Sequence, residues 1–115
     1  MAKYEDRLNG DFDELLKRLD NGILRGSASA ALKDGSDYYS NNTRCAVRVY
    51  ERFSMMGGTK VNLSLTLIGS NRDLFISAIT SGGAQITHAA VGTLGESSFL
   101  QHAVDIIEDY KMELE

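Results

Sequence analysis

The sequence predicts an α+β protein: a curved antiparallel sheet of five or six strands with two helices on one face, in the order β-α-β(4-5)-α. Three observations predict it. Apolar residues recur at helical spacing near both ends, after Asp11 and after Thr93, and each of these is followed three positions later by a glutamate, Glu14 or Glu96, as in a capping box. Between those ends, alternating runs are separated by Gly, Asn, Asp and Ser, which must make the turns in a chain without proline. No composition shift, repeat or low-complexity stretch divides residues 1–115, so a single domain with one core is expected, burying roughly two thirds of its unfolded-chain surface.

Residues 2–8, AKYEDRL, read as a short strand broken by Asn9-Gly10. Phe12, Leu15, Leu16 and Leu19 then make one stripe of a short helix. Asn21-Gly22 is expected to end it, because glycine adopts the left-handed conformation at little cost. Residues 27–32, SASAAL, read as a strand of small residues, and 34–42, DGSDYYSNN, as a loop. In 43–54, TRCAVRVYERFS, Cys45, Val47, Val49 and Phe53 share one side while Arg44, Arg48, Tyr50 and Arg52 share the other. If Phe53 meets Thr59 of the next strand, 59–68, then Val49 faces Leu63, Val47 faces Leu65 and Cys45 faces Leu67. The same register sets Arg52 opposite Lys60, Tyr50 opposite Asn62 and Arg48 opposite Ser64, with no carboxylate across from any arginine.

After a turn at Gly69-Ser70-Asn71, the run 73–80, DLFISAIT, is apolar on both sides, as in a strand covered on both faces. Ser81-Gly82-Gly83 reads as a hairpin turn that sets Ile79 opposite Ile86, Ser77 opposite His88 and Ile76 opposite Ala89. Phe99, Leu100, Ala103, Val104, Ile107 and Tyr110 form the stripe of a long final helix, with Asp105, Glu108 and Glu115 on its other side. By analogy this is a small helix-grip or TATA-binding-protein-like layout. Such scaffolds carry unrelated activities, so the analogy names none.

Asn9-Gly10-Asp11-Phe12, Asp34-Gly35-Ser36-Asp37-Tyr38, the run from Thr43 to Arg52, the run from Ser77 to Gly83, and Leu94-Gly95-Glu96 resemble stretches of short uncharacterised bacterial proteins. Those proteins, mainly from Firmicutes, share a domain of unknown function, and the resemblance spans nearly the whole chain. It implies a cytoplasmic bacterial protein and brings no catalytic residue, cofactor or ligand.

Composition narrows the classes further. A net charge of −4 and a pI near 5.1 argue against bulk nucleic-acid binding, which needs a local excess of Lys and Arg. No apolar run approaches the roughly 18 residues of a membrane helix, and the first dozen residues carry charges where a signal peptide would be apolar, so a cytoplasmic location is expected. Cys45 is the sole cysteine, and with only His88 and His102 beside it a zinc site cannot be completed. No metal or cofactor is expected.

Several residues are candidates for function. Arg44, Arg48, Arg52, Lys60 and Tyr50 could form an anion or RNA surface, but one aromatic and a handful of cations are a weak signature of that, and a solvated sheet face is the favoured account. Glu51 falls on the apolar parity opposite Val61; buried, it would be a general-base candidate, but the cost of an unpaired buried charge favours a place at the sheet rim. Ser77, His88 and Glu51 are suitable types for a nucleophile and base, yet no nucleophile-elbow motif surrounds the serine. His88 reads instead as a hydrogen-bonded sheet residue and His102 as an exposed helix residue. Ser81-Gly82-Gly83 lacks the lysine of a phosphate loop, and Met55-Met56 offers an adaptable apolar contact. Leu74, Ile76, Ala78, Ala89 and Val91 would share the sheet face that the helices leave uncovered, a candidate interface. These features point to a non-enzymatic cytoplasmic binding or assembly module, a homodimer joined through its open sheet face. The alternatives are a small-molecule or lipid carrier with a pocket between sheet and C-terminal helix, or anion and RNA binding by the arginine face. An enzyme centred on Glu51 and His88 ranks last.

Overall fold

A computed structural model describes residues 1–54, 58–82 and 89–114, including the side chains of all but 89–97. The elements are β1 (Ala2–Asn9), α1 (Phe12–Arg25), β2 (Ala31–Ser40), β3 (Thr43–Phe53), β4 (Lys60–Ser70), β5 (Asp73–Gly82) and α2 (Ala89–Leu114). This is the expected α+β class, with five antiparallel strands in one open sheet of order β1-β5-β4-β3-β2.

Two short turns tie the sheet together. Ser40 pairs with Thr43 across Asn41-Asn42, and Ser70 pairs with Asp73 across Asn71-Arg72. Asn41 and Asn71 both sit at φ 55, a left-handed conformation that asparagine tolerates better than other residues with a side chain. The first of these turns corrects the sequence reading, because residues 34–40 are strand and not loop. Their strand, β2, is the outer edge, exposed along nearly its whole length, with a register shift between Leu32 and Asp34.

Asp11 caps α1 as expected, its Oδ2 accepting a bond from the Glu14 backbone N–H at 2.9 Å. The reciprocal bond is replaced: the Asp11 N–H donates to the Tyr110 hydroxyl at 2.8 Å, and Glu14 pairs with Arg18. The helix does not stop at Asn21-Gly22 but runs to Arg25. Gly22 is there because α2 comes so close that a Cβ would lie 2.6 Å from Ile106 Cδ1. His102, expected to be exposed, is instead seated against this turn, its Nε2 2.8 Å from the Gly22 carbonyl oxygen.

The core lies between the helices and one face of the sheet. Leu63, Leu65 and Leu67 of β4 and Leu74, Ile76 and Ala78 of β5 are buried beneath Leu15, Leu19 and Ile23 of α1 and Phe99, Ala103 and Ile107 of α2. The cross-strand register of β3 and β4 differs by one residue from the expected one: Phe53 meets Lys60, Tyr50 meets Leu63, Arg48 meets Leu65 and Ala46 meets Leu67. A one-residue slip exchanges the two faces of a strand. Cys45, Val47 and Val49 therefore point away from the helices, and the arginine side of β3 points toward them. A second correction concerns β5. Its neighbours are β4 and β1, so Ile76 lies between Leu67 and Asp6, and Ser77 between Thr66 and Glu5. Ala89 and Val91, expected in a sixth strand, belong to α2, which begins ahead of the Thr93 expected to open it. Met55-Met56, Gly83, Ile86, His88 and Glu115 lie outside the described residues.

Candidate functional site

Leu74, Ile76 and Ala78, expected on an uncovered face, are each fully buried under the helices. They are core and cannot present an interface. The slip that puts them there also explains the arginines. On the helix side of β3, the apolar stem of each arginine can cover the core margin while its charged head finds a partner outside the strand. Arg44 lies 4.1 Å above the Phe12 ring and bonds Asp13 at 3.0 Å, a contact that raises the guanidinium pKa and lowers that of the carboxyl. Arg48 bonds Asp37 of β2 at 3.0 Å and donates to the Val47 carbonyl oxygen at 2.9 Å. Arg52 stacks 4.3 Å from the Phe99 ring and donates to Ser98 Oγ at 3.1 Å; its partial burial draws its pKa down. Tyr50 is fully buried, with its hydroxyl donating to Asp20 Oδ1 at 2.7 Å. Burial first, and the Asp20 bond second, push the phenol well above its ordinary value. Lys60 lies on the opposite face, 3.8 Å from Glu51. The five residues expected to grip an anion are thus split between two faces, and each already holds a partner in its own chain.

Glu51 stands on the open face between Ala31 and Asn62, at the sheet rim, with the ammonium groups of Lys33 and Lys60 at 3.9 and 3.8 Å. Ser77 shares that face. Among the described residues, no group of three or more His, Cys, Asp and Glu could hold a metal ion, and no helix is long and apolar enough to cross a membrane.

The open face is built by the register. Residues directly opposite share a face, so the aligned pairs define cross-strand rows. One row is Tyr38, Cys45, Ile68, Phe75 and Arg7; the next is Ser36, Val47, Thr66, Ser77 and Glu5; the third is Asp34, Val49, Ser64, Ile79 and Lys3. Cys45, Val47 and Val49 therefore line β3, Phe75 and Ile79 flank Ser77 on β5, and β4 between them carries Ile68 beside Thr66 and Ser64. Ile68 and Ile79 are each 37% exposed, although both lie on inner strands. Among the described residues, no helix covers this side. A depression of about 410 Å³ lined by Arg7, Ile68, Ser70, Asp73 and Phe75 opens on it.

A family model matches residues 1–111 of the chain. The chain belongs to the family of unknown function DUF6054. No curated protein and no solved structure matches it. In this DUF6054 chain the residues that sequence reasoning missed are those of the open face. Their signal was present in the alternation of Cys45, Val47 and Val49, but the register that would have turned them outward was not. The adjacent tyrosines 38 and 39, followed by Asn41-Asn42, are the cue that could have revealed β2 and its turn.

Proposed function

We propose that the chain is a non-enzymatic assembly module that self-associates, as a homodimer, through the uncovered face of its sheet. The observation that carries this is the set of apolar side chains on β3, β4 and β5, among them Ile68 and Ile79 at 37% exposure, which no helix among the described residues covers. Apolar side chains gathered on one exposed sheet face, rather than scattered singly, mark a contact site. The space between sheet and α2, where a carrier would hold its ligand, is occupied by Phe99, Ala103, Ile107 and Tyr110. The arginines that would have made an anion site are bound to Asp13, Asp37 and Ser98. The reading includes a cytoplasmic, bacterial setting, supported by the acidic composition and a lone thiol, which suits a reducing compartment.

Sedimentation equilibrium tests it. The wild type is expected to be a dimer at micromolar concentration. Val47→Lys, placing an ammonium in the middle of the face, is expected to give a folded monomer. A wild type that stays monomeric at high micromolar concentration, or a dimer indifferent to Val47→Lys, would overturn the proposal.

A further inference from the structure

The open face is self-complementary along one direction and not along the other. Each cross-strand row runs from β2 through the central strand β4 to β1, and the charged ends of the rows differ. Lys3 and Asp34 end the same row, and Arg7 and Tyr38 end another. If two copies meet face to face about a two-fold axis parallel to β4, each row lies over itself reversed. Lys3 then faces Asp34 of the other copy, Arg7 faces Tyr38, and Ile79 faces Val49. If the axis runs across the strands instead, Lys3 faces Arg7 and Glu5 faces its own counterpart. Like charges would then meet along both β1 rims.

We infer that the partner is a second copy seated with its two-fold axis along β4, with Lys3 and Asp34 as the residues that set this orientation; the inference rests on the assembly role proposed for the open face. Among the described residues, Lys3 has no ion pair or side-chain hydrogen bond within its own chain, and the Asp34 side chain only accepts a bond from the Gly35 N–H, so both are available. Arg7 keeps its bond to Asp73 at 3.0 Å, which leaves its guanidinium able to lie over the Tyr38 ring. Lys60 approaches its counterpart near the axis at one end of β4, where Glu51 neutralises it.

The dimensions suit the arrangement. Five strands about 4.8 Å apart and eight residues of about 3.3 Å each give a footprint of about 500 Å² before side-chain relief. A standard interface buries about 800 Å² of accessible surface per partner, which a corrugated footprint of this size approaches. Aligned sheets cross at about 30°, which displaces facing rim residues by about 5 Å and stays within reach of a lysine.

Charge exchange between copies tests the orientation. Lys3→Glu and Asp34→Lys are exposed substitutions that should leave the monomer's melting temperature unchanged, while each weakens its own homodimer about tenfold at low salt. In an equimolar mixture of the two variants, the carboxylate introduced by Lys3→Glu would face the ammonium introduced by Asp34→Lys, and at the other rim the unaltered Lys3 and Asp34 would still meet. Sedimentation equilibrium should then recover the wild-type affinity, and native mass spectrometry should show the heterodimer in excess. The difference should fade at about 0.5 M salt, where screening is short-ranged. If the mixture is as weak as its parts while Val47→Lys still gives a monomer, the axis is wrong and the open-face role stands. If the wild type is itself a monomer, both fall.

Discussion

Gly26 closes α1 at φ −74° and ψ −15°, a conformation open to any residue. Space alone keeps it a glycine. A Cβ at this position would stand 2.2 Å from His102 Nε2, the same nitrogen that lies 2.8 Å from the Gly22 carbonyl oxygen. Gly26→Ala therefore pits two effects against each other. Reduced freedom in the unfolded chain stabilises by about 0.4–1 kcal/mol where the new residue fits. Here it does not fit unless the imidazole turns away, which costs a net hydrogen bond of about 0.5–1.5 kcal/mol and leaves part-buried polar groups unsatisfied at about 1–3 kcal/mol. The loss outweighs the gain, and Gly26→Ala should destabilise the protein by about 0.5–4 kcal/mol. In a His102→Ala background the obstruction is gone, so the same substitution should be neutral or stabilising by about 0.4–1 kcal/mol. Urea unfolding of the wild type, both single variants and the double variant gives the coupling directly. An equal cost of Gly26→Ala in the two backgrounds, within about 0.5 kcal/mol, would refute this account of how α1 and α2 meet.

Two further predictions address the sheet and its buried phenol. Ile76→Ala should cost about 2–5 kcal/mol in urea unfolding, because Ile76 is fully buried, whereas Phe75→Ala on the open face should cost the isolated monomer far less; comparable losses would contradict the assignment of faces. Tyr50 has a folded pKa raised above its unfolded value of about 10, so its contribution should be intact below about pH 10 and lost as pH rises toward the folded value. Tyr50→Phe should remove that alkaline slope and cost about 1.5–3 kcal/mol at neutral pH through the lost bond to Asp20, and an unchanged slope in pH-dependent unfolding would refute it.

How much was legible follows from what each signal depends on. The capping of α1 by Asp11 was readable because the cap and its target are three residues apart. The stripe of α2 was readable because it is a periodicity within one element, and Phe99, Ala103, Ile107 and Tyr110 are indeed buried. The end of α1 was misread because glycine signals a stop locally, while at Gly22 it serves the approach of Ile106 from more than eighty residues away. The open face was misread because hydrophobic alternation ranks Arg and Tyr as outward residues. That ranking ignores Asp13, Asp20, Asp37 and Ser98, which come from other elements and satisfy the polar heads while stems and ring are buried.

By itself, then, the sequence determined that this is an α+β chain, where most of its strands and helices lie, and which residues of β4 and α2 build the core. Local periodicity and turn chemistry are enough for that. Tertiary structure decided which side of β3 meets the helices and therefore which surface is left open. The two candidate registers differ by a single residue, and each gives β3 a plausible inward face. The part-buried bond from Tyr50 to Asp20, the seating of Ala46 against Leu67 and the stacking of Arg44 and Arg52 on Phe12 and Phe99 separate them. Those are contacts between elements distant in the chain, and no pattern confined to one strand encodes them.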